Sequence, residues 1–408
     1  MLGEFQKNMG NCLRHYILLC KNYSSSNLSK KDTDKKRIIM RKIRVLHLEL
    51  DGHLGGIESF LYSLYSVIDR NKVHFDFITR ADNPAKGDEL KKIDARVIKI
   101  SSYNHPIKYM KNLDRVIEEG NYDVIHIHKN SAAIVLPFLI TRRHKNEKVF
   151  VHSHNTQPSV NGMASLLHKL NKGFLYNSAD EHFACSRVAG EWLYGKKGDF
   201  SVLRNGIITS KYQFDKEKRK AKRRELNIPE DAFVLGNVGR FAEQKNQKRL
   251  VDIFEEFQKS VENSYLILVG DGNLKEKIEL YTNEKKIKNI KFLGVRSDIP
   301  DIMMAMDAFV MPSLYEGLPI VGVEAQAAGL DLYLSNTISK ETALLNSVRW
   351  FDLNDTNQSI VKQISVKING ERERLFRNNE VKKQGYDIEQ TAAELLDRYK
   401  ECVDEGNS

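Results

Sequence analysis

The chain has 408 residues, too many for one ordinary hydrophobic core, so two domains are expected. With 41% hydrophobic and 29% charged residues it has the composition of a soluble globular protein, and no run approaches the roughly 18 apolar residues a membrane span needs. The net charge of +10 invites nucleic acid or anionic lipid as a partner, but residues 1–39 hold eight Lys/Arg against three acids, half of that excess.

This leader, with Ser24-Ser25-Ser26 and Lys35-Lys36-Arg37, has little periodicity and reads as disordered. Its apolar patch, Tyr16–Cys20, is too short for a signal peptide, and no small-residue cleavage site follows. Met40 stands directly before the first strand, so translation is expected to begin there naturally, or residues 1–39 to be dispensable. Cys12, Cys20, Cys185 and Cys402 show no metal or disulfide spacing, which suits a reducing cytoplasm.

From Ile43 the pattern alternates strand and helix. Ile43–Leu48 is a strand, followed by Asp51–Gly56 and a helix from Ile57 to about Ile68. Further strands are expected at Phe75–Thr79, Ala95–Ile100, Val124–His128, Val149–His152 and Glu181–Cys185, with helices such as Pro106–Glu119 and Ala132–Arg143 between them. Such alternation implies a parallel sheet covered on both faces, with ligands at the carboxyl ends of the strands. Gly55-Gly56 after the first strand lets backbone approach a phosphate, but it is not a GxGxxG fingerprint, which disfavours an NAD-type enzyme. His126 and His128 end one strand, and His152 and His154 end its neighbour. Four histidines on adjacent strand ends point to a site, and without a third ligand type, hydrogen bonding and acid–base work are favoured over a metal.

The connection after Asn205-Gly206 runs to about Pro229, and its basic stretch Lys216–Arg224 reads as a solvated helix face. A second set begins with the strand Phe233–Val238. Arg240 follows it, and Lys245 is expected to open a helix to Lys259, a pair of cations suited to a diphosphate. Leu266–Val269 runs into the Gly270-Asp271-Gly272 turn, and Ile290–Leu293 into Gly294–Asp298. The strand Ala308–Met311 leads through Pro312–Leu318 to a helix Ile320–Ala328, a strand–loop–helix junction whose free N–H groups make an anion site. Glu316 lies in that loop and Glu324 on the helix. Past the strand Leu332–Ser335 the chain is polar with helical potential, and it ends in an amphipathic helix from Ile388 to about Val403.

These residues carry a family resemblance. GGIE (Gly55–Glu58), HSHNT (His152–Thr156), ACS (Ala184–Ser186), RNGI (Arg204–Ile207), VGRFAEQKN (Val238–Asn246), VGDG (Val269–Gly272), FLGVRSD (Phe292–Asp298) and PSLYEGLPIVGVEAQAAG (Pro312–Gly329) occur in order. Together they resemble a family 4 retaining glycosyltransferase of GT-B fold, in the bacterial capsule and exopolysaccharide branch. The resemblance implies an α/β architecture of two Rossmann-like domains, residues 40–207 and 208–383, facing a cleft, with residues 384–408 crossing back to the first. It implies that Arg240 and Lys245 neutralise the donor diphosphate and that Glu324 holds the ribose. Glu316 would face the donor sugar, while Gly317 and Leu318 give N–H groups to the phosphates. His154 would lie against the sugar, Gly56 would approach the diphosphate, and Gly294-Val295 would frame the base. No metal or other cofactor is implied. The expected partners are a nucleotide-sugar, with UDP the favoured nucleotide, and a saccharide or lipid-linked acceptor.

One departure from the family pattern is Leu330-Asp331-Leu332-Tyr333, where relatives usually carry Pro and small apolar residues; Asp331 then opens a buried strand. Arg142, Arg143, Lys145 and Lys148 would meet anionic lipid at the inner face of the plasma membrane. Two alternatives compete. A nucleotide-sugar epimerase of the same fold would act without an acceptor. A lipid- or nucleic-acid-binding module would rest on charge alone, and nucleic acid is not expected because no stacking aromatics interleave the basic residues.

Overall fold

The computed structural model describes residues 41–52, 55–154, 162–365, 374 and 377–405. The leader with Met40, Cys12 and Cys20 lies outside the described residues, as do Asn155 and Thr156.

Two parallel sheets organise the chain. The first holds β1 (Ile43–Leu50), β2 (Val73–Thr79), β3 (Arg96–Lys99), β4 (Val124–Lys129), β5 (Lys148–Ser153), β6 (Glu181–Ala184) and β7 (Ser201–Val202), in the order β3-β2-β1-β4-β5-β6-β7. The second holds β8 (Phe233–Val238), β9 (Ser264–Val269), β10 (Ile290–Phe292), β11 (Ala308–Met311), β12 (Asp331–Ser335) and β13 (Val348–Phe351), in the order β10-β9-β8-β11-β12-β13. Central strands are buried on both faces, so β4 and β11 are buried at every position. In each sheet the order reverses beside the first strand, between β1 and β4 and between β8 and β11. A crevice opens at the carboxyl ends of such strands because the following loops diverge to opposite faces.

The two halves are joined by a crossing of backbones. Ile207 N donates to Tyr386 O at 2.9 Å, Ile388 N donates to Ile207 O at 2.9 Å, and Thr209 Oγ1 donates to the Asp387 carboxylate. The two segments pass so closely at Gly206 that an added Cβ would stand 2.6 Å from Ile388 N. Beyond the crossing, the helix Ile388–Glu405 buries Ile388, Ala392, Leu395, Leu396 and Tyr399 in the core of the first sheet, against Phe60, Leu64 and Phe75. Its apolar stripe is therefore part of a core. Ile207 itself packs in the core of the second sheet.

The structure corrects several expectations. Val348–Phe351, in the stretch expected to be helical, is the edge strand β13. The helix expected over Ala132–Arg143 spans only Leu136–Thr141, because Asn171 Nδ2 donates to the Ala132 and Ala133 carbonyls and holds that stretch in a turn. Lys245 ends a 3-10 turn (Glu243–Lys245), and the helix starts at Gln247, after Asn246 takes a left-handed conformation at φ 52°. The basic run is not a solvated face throughout. The Arg223 side chain is buried, donates to the carbonyls of Pro229, Glu230, Ala232 and Ala305, and pairs with Asp307 at 2.8 Å.

Candidate active site

The carboxyl end of the second sheet is built from interlocked turns. Gly239 N donates to Val269 O at 2.9 Å and Gly270 N donates to Gly294 O at 2.8 Å, which ties the ends of β8, β9 and β10 together. Gly270 has φ +129°, and a Cβ there would stand 2.2 Å from Gly239 O, so only glycine fits. The turn 243–246 is stitched to the loop after β11: Leu314 N donates to Gln244 O at 2.8 Å, Gln244 Nε2 to Tyr315 O at 3.0 Å and Asn246 Nδ2 to Pro312 O at 3.1 Å. This stitching carries Lys245 past Gly239 to Glu316, where Nζ lies 2.5 Å from Oε1. Arg240, at the end of β8, is exposed and forms no ion pair among the described residues. The amides of Gly317 and Leu318 donate to no partner among the described residues and precede the helix Ile320–Ala327.

Glu324, on that helix, is raised by burial, and a hydrogen bond donated by Tyr212 partly offsets this. Tyr212 comes from the 3-10 turn Thr209–Tyr212 just past the crossing of backbones. Gly294 has φ +64°, and Val295 beside it is 67% exposed. Arg296 holds this loop through Asp298 (2.7 Å) and Glu225 (2.9 Å), and Lys222 reaches Asp298 at 2.7 Å.

The first sheet presents histidines. His154 lies at the end of β5, with its N donating to Lys129 O at 3.1 Å. The histidines number five, because His47 on β1 is in register with His126 on β4, which in turn pairs with Phe150 on β5. His47 Nδ1 and His128 Nε2 are 2.9 Å apart, His128 Nδ1 and His154 Nε2 2.8 Å apart, and His126 Nδ1 lies 2.6 Å from the Tyr399 hydroxyl. Asn205 of the RNGI motif lies 3.4 Å from His154 Nδ1. Burial pushes all five pKa values down, those of His47 and His154 to about 3. Burial therefore favours the neutral ring in each, which suits the hydrogen bonding expected of them more than proton transfer near neutrality. Two triplets of ring nitrogens (His47, His126 and His128; His128, His152 and His154) lie within 4.8 Å of one another, near enough to be weighed as metal ligands. No carboxylate belongs to either triplet to offset a buried dication, and other imidazoles already occupy both nitrogens of His128.

Gly56 opens the helix Gly56–Val67, and a Cβ there would meet nothing within 4 Å. Glu58 holds the loop before it, accepting from Gly55 N at 3.0 Å and Asp51 N at 3.1 Å. A polar cluster flanks the histidines. Glu49, at the end of β1 with φ +82°, accepts from Lys129 at 2.8 Å, from Arg80 at 3.0 Å and from the Tyr103 hydroxyl. Burial alone would raise the Glu49 carboxyl, but Lys129 and Arg80 outweigh it and hold it below its usual value.

Of the residues singled out in sequence, Glu316, Gly317, Leu318 and Glu324 lie on one loop and helix, Lys245 reaches Glu316 from the turn stitched to that loop, and Arg240 and Gly294-Val295 lie on the neighbouring strand ends. Gly56 and His154 stand at the corresponding end of the first sheet. Sequence reasoning did not find His47, Glu49, Glu58 or Tyr212. The match between strand ends β1 and β4 would have pointed to His47, but nothing local marks Tyr212.

Comparison with known proteins follows the same division. Residues 54–211 match the family model described as Glycosyltransferase Family 4, and residues 218–346 that described as Glycosyl transferases group 1. EpsF of Bacillus subtilis (strain 168) is 30% identical over 370 residues, 87% of this chain and 96% of EpsF. The UDP-Gal:alpha-D-GlcNAc-diphosphoundecaprenol alpha-1,3-galactosyltransferase of Escherichia coli is 25% identical over 382 residues, 89% of this chain and 98% of that enzyme. Among solved structures, Anabaena Alr3699/HepE in complex with UDP and glucose matches with a TM-score of 0.70 at 18% identity, over 88% of this chain and 100% of that one. The likeness to that structure is one of fold: two Rossmann-like domains in the GT-B arrangement.

Proposed function

The chain belongs to the family 4 glycosyltransferases, and from that membership we propose that it transfers a hexose from a UDP-sugar to a lipid-linked saccharide, with retention of configuration, in the making of a capsular or exopolysaccharide. The observation that carries this reading is the Lys245–Glu316 pair beside the unpartnered amides of Gly317 and Leu318. Breaking the bond between the sugar C1 and the diphosphate leaves negative charge on the leaving phosphate and cationic character on C1. Lys245, Arg240 and the two amides meet the first charge with preorganised positive groups. Glu316 faces the sugar and keeps the Lys245 ammonium aimed at the phosphate. Glu324, braced by Tyr212, takes the ribose hydroxyls, and the backbone at Gly294-Val295 frames the base. In a front-face step the acceptor hydroxyl adds to C1 on the side the diphosphate leaves, and its proton passes to a phosphate oxygen. This assignment needs no resident metal, since the two cations supply the positive charge.

The acceptor belongs beside Glu49, Arg80 and Lys129 on the first domain, and the Escherichia coli relative is a galactosyltransferase acting on alpha-D-GlcNAc-diphosphoundecaprenol. No helix among the described residues is long and apolar enough to cross a membrane. The helix Met163–Tyr176 instead exposes Met163, Leu166 and Leu170 on one face, with the exposed Lys169 beside them. Arg142 lies against Phe174 of the same helix, 5.3 Å from the ring centroid. An apolar stripe bordered by cations suits peripheral contact with an anionic membrane at its cytoplasmic face. Arg143 is less available than Arg142, since it pairs with Asp114 at 3.3 Å.

The test is donor turnover by the purified protein across a panel of UDP- and GDP-sugars with a lipid-linked acceptor, with the anomeric configuration of the product read by NMR. Lys245→Ala and Glu316→Ala are each expected to lower kcat about 10²-fold or more, and EDTA is expected to leave the rate unchanged. Full activity in both variants would remove the residue assignments, and an inverted product would remove retention.

A further inference from the structure

Five imidazoles packed side by side in a protein core pose an accounting problem. Each neutral ring carries one N–H, and a buried N–H without an acceptor keeps the full penalty of leaving water. Three of the five rings form a continuous chain: His47 Nδ1 to His128 Nε2 at 2.9 Å, then His128 Nδ1 to His154 Nε2 at 2.8 Å. Its inner end, His47 Nε2, is buried and has no partner among the described residues. Its outer end, His154 Nδ1, lies 3.4 Å from Asn205 Nδ2, and the Asn205 Oδ1 has no partner among the described residues.

Three protons are shared among two links and two ends, and this leaves two arrangements. If His47 donates from Nδ1, His128 must donate from Nδ1 in turn, and the His154 proton is left on Nδ1. If His154 donates inward from Nε2, His128 must donate from Nε2, and the His47 proton is left on its own Nε2. A mixed arrangement leaves one link with two protons or none. In the second arrangement a buried N–H points at nothing. The first leaves only a bare lone pair at His47 Nε2, the milder defect. It also lets Asn205 Oδ1 accept from His154 Nδ1–H after a half-turn of the amide. Full protonation of the chain would bury a cation with no counter-charge.

We propose that His47 and His128 are positioning residues that fix His154 as its Nδ1–H tautomer, so that at the reaction centre it is a hydrogen-bond donor and never a base. Successive imidazole links polarise one another, which strengthens the outermost donor. His126 and His152 are not links in the chain. They close its sides by ring contact, His126 at 4.4 Å from His128 and His152 at 4.0 Å from His154. The chemical consequence is that His154 donates to a hydroxyl or ring oxygen of the transferred sugar, or to the leaving oxygen. This part rests on the proposed placement of His154 against the donor; the chain itself does not.

The test uses the full chain labelled with 15N-histidine at pH 7.5, where two-bond 1H–15N correlations distinguish the tautomers, and assigns the rings by single His→Gln variants. The expected result is Nδ1–H at His47, His128 and His154 together, although an isolated imidazole favours Nε2–H. Nε2–H at any of the three overturns the proposal. So does one equivalent of copurified zinc or nickel, since a His128 nitrogen would then be a ligand and not a link. The tautomers are read from the wild-type spectrum, and the variants serve only to assign its signals. For function, His128→Phe keeps a ring of similar size and cuts both links. It is expected to lower kcat about tenfold with donor KM within about twofold, the effect of losing one polarised hydrogen bond of about 1.4 kcal/mol. An unchanged kcat overturns the catalytic consequence. If His154→Ala keeps full activity while the spectrum is as expected, the placement of His154 fails and the chain stands.

Discussion

Acid should unfold the first domain at a pH where most proteins are unaffected. His47, His126, His128, His152 and His154 are held neutral by burial, with pKa values of about 3 at His47 and His154 against an ordinary value of 6.5. In the unfolded chain each takes up a proton as the pH falls through about 6.5, while in the folded chain burial holds all five well below that, His47 and His154 at about 3. The unfolded state then binds more protons, so stability rises with pH across this window and is level above about pH 7. At pH 5 His47 and His154 each contribute about 2 kcal/mol of destabilisation, from 1.5 units at 1.36 kcal/mol per unit, and His126, His128 and His152, lowered by the same burial, add in the same sense. The first two alone remove about 4 kcal/mol from a domain stability of about 5–15 kcal/mol. Glu58 and Glu324, raised by burial, act in the opposite sense and offset at most two of the five protons. His168, lowered by burial to about 4, adds in the first sense. The chain has two tryptophans, so in a Trp350→Phe background urea unfolding followed through Trp192 reports on the first domain. Between pH 6 and 5 the unfolding free energy should fall with a slope of at least three protons. A slope below two protons would refute the reasoning, and His126→Phe should lower the slope by about one.

Three further outcomes are expected. Tyr212→Phe removes the donor to the Glu324 carboxylate, an interaction of about 1.5–3 kcal/mol for a charged partner, and should weaken UDP binding by tenfold or more in calorimetry while the fold survives. Gly270→Ala sets a Cβ 2.2 Å from Gly239 O at a φ of +129°, so it should cost more than about 2 kcal/mol in thermal unfolding and loosen the backbone beneath Lys245. Leu166→Ser with Leu170→Ser removes two exposed apolar contacts worth about 1.5–3 kcal/mol each when buried in lipid. Sedimentation with anionic vesicles should fall by at least tenfold, with stability changed by less than about 0.5 kcal/mol per site.

Several elements were legible because one local signal sufficed. Phe233–Val238 and Ala308–Met311 are strands over the expected residues, since each is an apolar run closed by Gly239 or Pro312. The run into Pro319 likewise marked a helix start at Ile320. Asp331, expected to open a buried strand, does begin β12 and is half-buried beside Ala308. Where signals were mixed the reading failed. Val348–Phe351 is four residues long with Arg349 exposed, too short and too polar to stand out. Arg223 sits in a run of like charges, and its burial depends on carbonyls that other segments bring to its guanidinium.

The sequence alone determined the alternation of strands and helices, the two-domain plan, the loop residues Arg240, Lys245 and Glu316, and Glu324 on the helix that follows. These follow from composition, periodicity and motif order, which are properties of neighbours along the chain. Only the tertiary structure decided that Lys245 meets Glu316, that Tyr212 braces Glu324, and that five histidines share one dry core. Register between strands and the crossing of distant backbones set those distances, and burial then suppressed the charge that free imidazoles would carry.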